Sequence, residues 1–404
     1  MSTVQAPPSD LAPRILSNDP GDHETPHGRE EEWRFTPVAK LSDFFESGQR
    51  GLVTAVESEF VTMTPAERNS STVEKAAHWV ASDLPSALVR THAPSVVSVA
   101  IPAERKVDEI VVVDLAGGEG LSYGRIEICA GAFSKATIVL RLDMTTDVSG
   151  IVVTDVADQA DLTVLALYDG PRTSRHVWQW ATTVGRDASF LGLAIALGGS
   201  IIRLRQNVRY AGPGGSAELL GAFLASDEQF QEFRIFVDHS EPHCVSNVVF
   251  KGALSGANAH TVWIGDVVVR REAVGIETYE LNRNLLLNDG PRADSVPNLE
   301  LETGDVVSAG HASATGRFDD EQLFYLQSRG ISEELARQLV VRGFFVEVLD
   351  KVKDADLRRD VIRRIEERIG MDAIAQPLTG VDAGVRAIWW RVLERGGWRP
   401  RGAG

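Results

Sequence analysis

The sequence predicts a mainly β protein with helical ends, its centre a stack of short β coils, and three observations carry that prediction. The chain changes rhythm twice, from helical spacing to short β-rich runs near residue 95 and back again near residue 317. The β-rich runs follow one another without the helical crossovers of about a dozen residues that a βαβ sheet needs. A motif of polar turn, alanine and apolar run recurs at roughly 25 to 30 residues, a spacing in the range of solenoid coils.

Residues 1–32 place Pro7, Pro8, Pro13, Pro20 and Pro26 among Ser, Asp, Glu and His. Such a composition cannot bury enough apolar surface to offset ordering, so a disordered lead-in is expected. Residues 33–94 then read as an N-terminal helical domain. Thr64-Pro65-Ala66-Glu67 and Ser71-Thr72-Val73-Glu74 have capping-box spacing, the first with proline at the opening helical position. Val73, Ala76, Ala77, Val80 and Leu84 recur at three-to-four spacing as one apolar face, which Pro85 should end.

Residues 95–316 form the expected coil stack. Its runs, bounded by Gly, Asp, Asn or Pro, include Glu109–Leu115, Thr137–Leu142, Leu162–Tyr168, Ser200–Tyr210, Phe230–Val237 and Thr261–Arg270. The recurring motif begins at Ser134, Gln159, Asp187 and Ser216. Each unit would be one coil, its faces buried against its neighbours. Pattern alone leaves a β-sandwich as the alternative.

Residues 317–404 return to helix. Asp319 and Ser332 are N-cap candidates with Gly330 as a stop between them, and Leu335, Leu339, Val340, Phe344, Phe345 and Val348 make the second helix apolar. Leu357, Val361, Ile365 and Ile369 fall four apart, while Arg358, Arg359, Arg363, Arg364, Glu366 and Glu367 face elsewhere on an amphipathic third helix. Trp389, Trp390 and Trp398 fit one more helix before a fraying Gly/Arg end.

Composition narrows function by exclusion. With 41 Lys and Arg against 57 Asp and Glu, the formal charge of −16 opposes a nucleic-acid partner. Two cysteines, Cys129 and Cys244, make no disulfide framework and fit a reducing cytoplasm. No apolar stretch reaches the ~18 to 20 residues of a membrane span, and the N-terminus lacks a signal-peptide apolar region. Gly117-Gly118-Glu119-Gly120 and Gly212-Pro213-Gly214-Gly215 lack the lysine and helix of a phosphate loop and read as turns. The chain is therefore expected to bind no nucleotide and to be no enzyme by itself.

Two places carry metal-capable side chains. Asp238-His239-Ser240-Glu241-Pro242-His243-Cys244 is dense in them, but Pro242 forbids a continuous helix and strand alternation sends neighbours to opposite faces. A structural turn is the favoured reading there, and a zinc or iron site the other. His311 lies in Ser308-Ala309-Gly310-His311-Ala312-Ser313-Ala314-Thr315-Gly316, whose small residues let a partner approach an imidazole closely. Read alone, it is better accounted for as a solvated loop histidine.

Here the chain resembles the SufB/SufD family of iron–sulfur cluster assembly proteins. Gly310 through Ile331 is similar to that family's His-Gly-Ala-Thr-x-Gly stretch followed by Asp-Glu-Glu-x-x-Phe-Tyr-Leu-x-Ser-Arg-Gly-Ile. Glu32 to Pro37, His239 to Ser246 with Lys251-Gly252, and Asn282 to Leu287 are weaker matches in the same order. The resemblance implies a right-handed parallel β-helix core flanked by N-terminal and C-terminal helical domains. It also implies a scaffold that pairs with SufB through the β-helix and holds the ATPase SufC on its C-terminal helices. Phe324, Tyr325, Leu326, Arg329, Phe344 and Phe345 are the expected docking residues.

A transient iron–sulfur cluster or iron shared with SufB is implied as well, with His311 as the candidate ligand from this subunit. Where many members carry a cysteine just before this histidine, the chain has Ser308-Ala309-Gly310; where SufB carries a cluster-building cysteine it has Asn282, which favours the SufD branch. A β-helical carbohydrate-active enzyme shares the architecture, but it needs paired carboxylates or calcium-binding aspartates that the sequence does not assemble.

Overall fold

Strand after strand turns alternate side chains inward, and the chain closes one coil with every two strands. The computed structural model describes residues 15–47, 50–55, 58–66, 80–143, 145–317, 320–352 and 354–368. In it β1 (Arg50–Gly51), β2 (Val53–Ala55) and β3 (Val61–Pro65) precede the first full coil, β4 (Ser95–Ile101) with β5 (Val111–Ala116). The coils that follow are β6 (Ser122–Ala130) with β7 (Lys135–Asp143), β8 (Val148–Val156) with β9 (Asp161–Asp169), and β10 (Arg175–Val184) with β11 (Ser189–Ala196). Then come β12 (Ile201–Tyr210) with β13 (Ser216–Ser226), β14 (Phe230–His239) with β15 (Val245–Ser255), β16 (His260–Val269) with β17 (Ile276–Leu286), and β18 (Arg292–Leu301) with β19 (Val306–Arg317).

Even strands from β4 to β18 pair in parallel as one sheet, and odd strands from β5 to β19 as a second. The core is thus the parallel β-solenoid expected from the sequence, and the sandwich is discarded. Inward side chains stack in rows, such as Trp178, Leu204, Phe233 and Trp263 on the first sheet. Rings in one coil fill gaps left by glycine in the next: a Cβ on Gly221 would lie 2.1 Å from the Phe250 ring, and one on Gly252 2.0 Å from Phe223.

The corner from first to second sheet sets the repeat. In the six coils from β6–β7 to β16–β17 one residue at this corner adopts left-handed backbone, two positions before the second-sheet strand at Phe133, Gln159, Asp187, Gly214 and His243 and one before it at Gly275. The alanines of the sequence motif do not all align with one another. Ala136 and Ala217 lie within strands, in rows with Leu162 and Phe190, whereas Ala160 and Ala188 stand in the corners. Coil length varies, with 26 residues between Lys135 and Asp161 and 32 between Ser246 and Thr278.

The N-terminal end differs from expectation in three ways. Thr64 and Pro65 close β3, an end strand antiparallel to β4, instead of opening a helix; a sheet's outer strand tolerates a residue without an N–H. Pro85 opens α1 (Leu84–His92) instead of ending a helix, because Asp83 accepts the Ser86 backbone N–H at 3.0 Å in a capping box. Residues 15–32, expected to be disordered, lie on the outer face of the first sheet: Glu32 pairs with Arg205 at 2.6 Å, and the Ser17 N–H donates to the Ala81 carbonyl at 3.0 Å. Residues 1–14, the Ser71 to Glu74 box, and Val73, Ala76 and Ala77 lie outside the described residues.

At the other end come α2 (Asp320–Gln327), α3 (Glu333–Leu349), capped by the Ser332 side chain, and α4 (Ala355–Arg368). Gly330 takes a φ of 85° and separates the first two, as its stop role requires. Val341, Phe345, Val348, Val361 and Ile365 bury against Leu167, Ile195, Leu220 and Val249 on the outer face of the second sheet. Polar clamps flank that seam: Lys251 Nζ donates to the Phe344 carbonyl at 3.0 Å, and Arg364 and Arg368 pair with Asp169. Asp319, Ile369, Trp389, Trp390 and Trp398 lie outside the described residues. Among the described residues no helix is long and apolar enough to cross a membrane.

Candidate functional site

Through most of the second sheet the inward rows are apolar, with Val164, Leu219 and Val248 in one and Ala166, Ala194 and Phe250 in the next. In the last two coils they turn polar. Register sets Glu280, Asn282 and Asn284 of β17 against His311, Ser313 and Thr315 of β19. No strand among the described residues extends the sheet past β19, so this layer is the open end of the stack. His311 is consequently 43% exposed while Glu280, one coil further in, is 0% exposed. The histidine thus belongs to a strand and not to a loop, and Val307, just upstream, is bulged out of register.

Asparagines and hydroxyls hold the layer together. Asn282 Nδ2 donates to the Phe250 carbonyl at 3.2 Å, and its Oδ1 accepts from Asn284 Nδ2 and from Ser295 Oγ, each at 2.8 Å. Asn284 reaches Thr315 Oγ1 at 3.3 Å. Glu280 stands outside this network. The Asn298 backbone N–H is turned toward its carboxylate, but neither oxygen has a partner in good hydrogen-bond geometry among the described residues, and Oε1 lies 3.6 Å from His311 Nδ1. Oε2 fills the space opposite Gly265, where a Cβ would meet it at 2.2 Å. Burial, reinforced by the nearby Asp266 charge, pushes the Glu280 carboxyl up to about 8.

The Asp238–Cys244 cluster takes its structural reading. His239 turns inward, stacks on Tyr210 at 4.9 Å and shares a hydrogen bond of 2.8 Å with Ser246, while burial holds its imidazole down at about 4. His243 occupies the left-handed corner, and Cys244 is buried with its thiol pushed up to about 11. Among the described residues no group of three or more His, Cys, Asp or Glu is placed to hold a metal ion.

The expected docking residues divide by exposure. On α2, Phe324 is 72% and Tyr325 40% exposed, Arg329 lies 4.5 Å over the Tyr325 ring, and Leu326 is half-buried. On α3, Phe344 is half-buried beneath Lys251, but Phe345 is 1% exposed within the seam against the second sheet. Phe345 is a core residue and is removed from the docking set.

The family model described as SUF system FeS cluster assembly, SufBD core domain, matches residues 113–344, over half of the chain. The chain belongs to the SufBD family. It is 41% identical over 371 residues to an iron–sulfur cluster assembly SufBD family protein of Mycobacterium tuberculosis, covering 88% of this chain and 92% of that one. A SufBD family protein of Mycobacterium leprae is 38% identical over 371 residues, covering 88% and 93%. The Escherichia coli iron–sulfur cluster assembly protein SufD is 27% identical over 215 residues, 53% of this chain and 50% of that one.

A SufBD protein has its place in iron–sulfur cluster assembly. A neutral imidazole suits iron, and Asn282 lies in the same layer as His311. Sequence reading found His311 and Asn282 but missed Glu280. Its signal was present: Glu280, Asn282 and Asn284 alternate in a strand where the preceding coil has Val248, Phe250 and Gly252.

Proposed function

We propose that this SufBD chain is the non-catalytic, SufD-type scaffold of a SUF complex. It pairs with SufB at the open end of its solenoid, docks the ATPase SufC on α2 and the exposed side of α3, and offers His311 to iron or a nascent cluster shared with SufB. One observation carries the reading: a half-exposed imidazole crowns a polar layer at the only unpaired end of the second sheet's parallel rows among the described residues, without enough donors beside it to complete a metal site. Missing donors supplied by another subunit, a thiolate above all, would complete it. Phe324 and Tyr325 supply the exposed aromatic surface that anchors a partner.

Co-expression with candidate SufB and SufC chains, followed by affinity purification and intact-complex mass measurement, tests the assembly. The expected product contains all three subunits, and truncation at Arg317 should lose SufC while keeping SufB. His311→Ala should assemble and hydrolyse ATP normally yet fail to build clusters. A chain that captures neither partner, or a His311→Ala complex with full cluster-building activity, overturns the corresponding part.

A further inference from the structure

We infer that Glu280 is a second metal donor, so that this chain brings a two-donor half-site of one imidazole and one carboxylate to a divalent ion such as iron(II). The inference rests on the reading of His311 as a ligand and deepens it. A buried carboxylate with no donor in good hydrogen-bond geometry, and only the Asn298 backbone N–H turned toward it, is costly in a folded protein and calls for a specific reason. The neighbouring side chains give none, since the hydrogen bonds of Asn282, Asn284 and Ser295 run to one another, to Thr315 and to a backbone carbonyl.

Distance points to a shared ion. At 3.6 Å, Glu280 Oε1 and His311 Nδ1 are too far apart for a hydrogen bond. Two donors each about 2.1 Å from one tetrahedral ion stand ~3.4 Å apart. The slot is also built for the carboxylate: only glycine at position 265 leaves room for Oε2. The row leading to Glu280 runs through Val164, Gly192, Leu219 and Val248, so the acid appears only where the row meets the imidazole.

Access is through His311 itself. It stands 3.6 Å from the buried carboxylate on the exposed side, and a half-exposed side chain changes rotamer in picoseconds to nanoseconds. On binding, two waters of the hydrated ion give way to the nitrogen and the oxygen, any proton on either donor leaves to solvent, and no electron is transferred. An oxygen and an imidazole nitrogen together favour iron(II) over copper(I), which prefers thiolate and thioether. No third His, Cys, Asp or Glu is grouped with them among the described residues, so water or a partner's side chain completes the sphere.

Anaerobic titration of the full chain with cobalt(II), read by visible absorption, and with iron(II), read by calorimetry, tests the half-site. The wild-type chain should bind one ion with the intense absorption of a four-coordinate cobalt site. Glu280→Gln, nearly isosteric, and Glu280→Asp, which keeps the charge but withdraws the oxygen, should each weaken binding at least ten-fold at an unchanged melting temperature. His311→Ala should do the same, and the double variant should be no worse than either. Wild-type affinity in Glu280→Gln, or no ion bound by the wild-type chain, overturns the inference. If Glu280→Gln binds normally while His311→Ala loses cluster building, only the inference fails; if His311→Ala also builds clusters, the underlying reading fails with it.

Discussion

The guanidinium carbon of Arg203 lies 3.7 Å from the centroid of the Trp33 ring, with Asp83 at 3.1 Å and Glu32 at 3.3 Å from its nitrogens. Arg203 is on the outer face of the first sheet, yet the N-terminal segment buries it completely. Removing the cation takes from buried Asp83 its ion-pair partner and leaves it beside Glu232, while Glu32 keeps Arg205. Arg203→Ala should therefore cost about 3 to 5 kcal/mol in urea unfolding and speed proteolysis within residues 15–47. A loss below about 1 kcal/mol would show that the segment is held by other contacts.

Ring-for-glycine complementarity predicts a second set of effects. Gly221→Ala and Gly252→Ala should each destabilise by about 1 to 3 kcal/mol, because the added methyl meets Phe250 or Phe223 at roughly half a normal contact distance. Phe250→Leu in the Gly221→Ala background should recover part of the loss. Additive losses in that double variant would contradict the packing described here.

Acid sensitivity follows from the inward histidines. Burial holds His176 and His239 at about 4, well below the ordinary value of 6.5. The unfolded chain therefore takes up these protons first, so their contribution is whole above pH 6.5 and is lost as pH falls toward 4. The urea midpoint should drop across that window. A His239→Gln variant should show a shallower drop, and an unchanged slope would refute the assignment.

Asp169 ties α4 to the solenoid through Arg364 and Arg368. Asp169→Asn should raise hydrogen exchange in residues 355–368 several-fold while leaving the coils protected, with a global cost near 1 kcal/mol. Exchange that rises equally in the coils would mean that Asp169 serves the core instead.

Much of the coil stack was legible in the sequence because strands such as Leu162–Tyr168 and Phe230–Val237 display β-branched and aromatic runs between turn residues. The N-terminal segment was not, because its hold on the first sheet is electrostatic. Arg203, Arg205 and Arg234 sit at outward positions, where sequence reading assumes water, and only the fold reveals that Glu31, Glu32 and Trp33 cover them. Thr64-Pro65 misled for a related reason: the same dipeptide suits a helix start and the outermost strand of a sheet, and the pairing with β4 decides between them. His311 drew attention through its small neighbours, although its residues alone favoured a solvated loop and only the family resemblance gave it a ligand role. Glu280 was hidden because a glutamate in a strand is ordinarily an outward residue, and only register shows that it points in.

A solenoid has no geometric reason to stop, since the edge of each coil is a template for the next. In this chain the polar layer makes growth self-limiting. A stray apolar strand laid over β19 would seal His311 and Ser313 beneath it without new partners, at a cost of a few kcal/mol for each polar group left unpaired. Only a surface carrying matching donors or a metal ion escapes that penalty. The end of the stack therefore discriminates by exclusion, rejecting the sticky strands that exposed sheet edges attract before any favourable contact with the right partner is made.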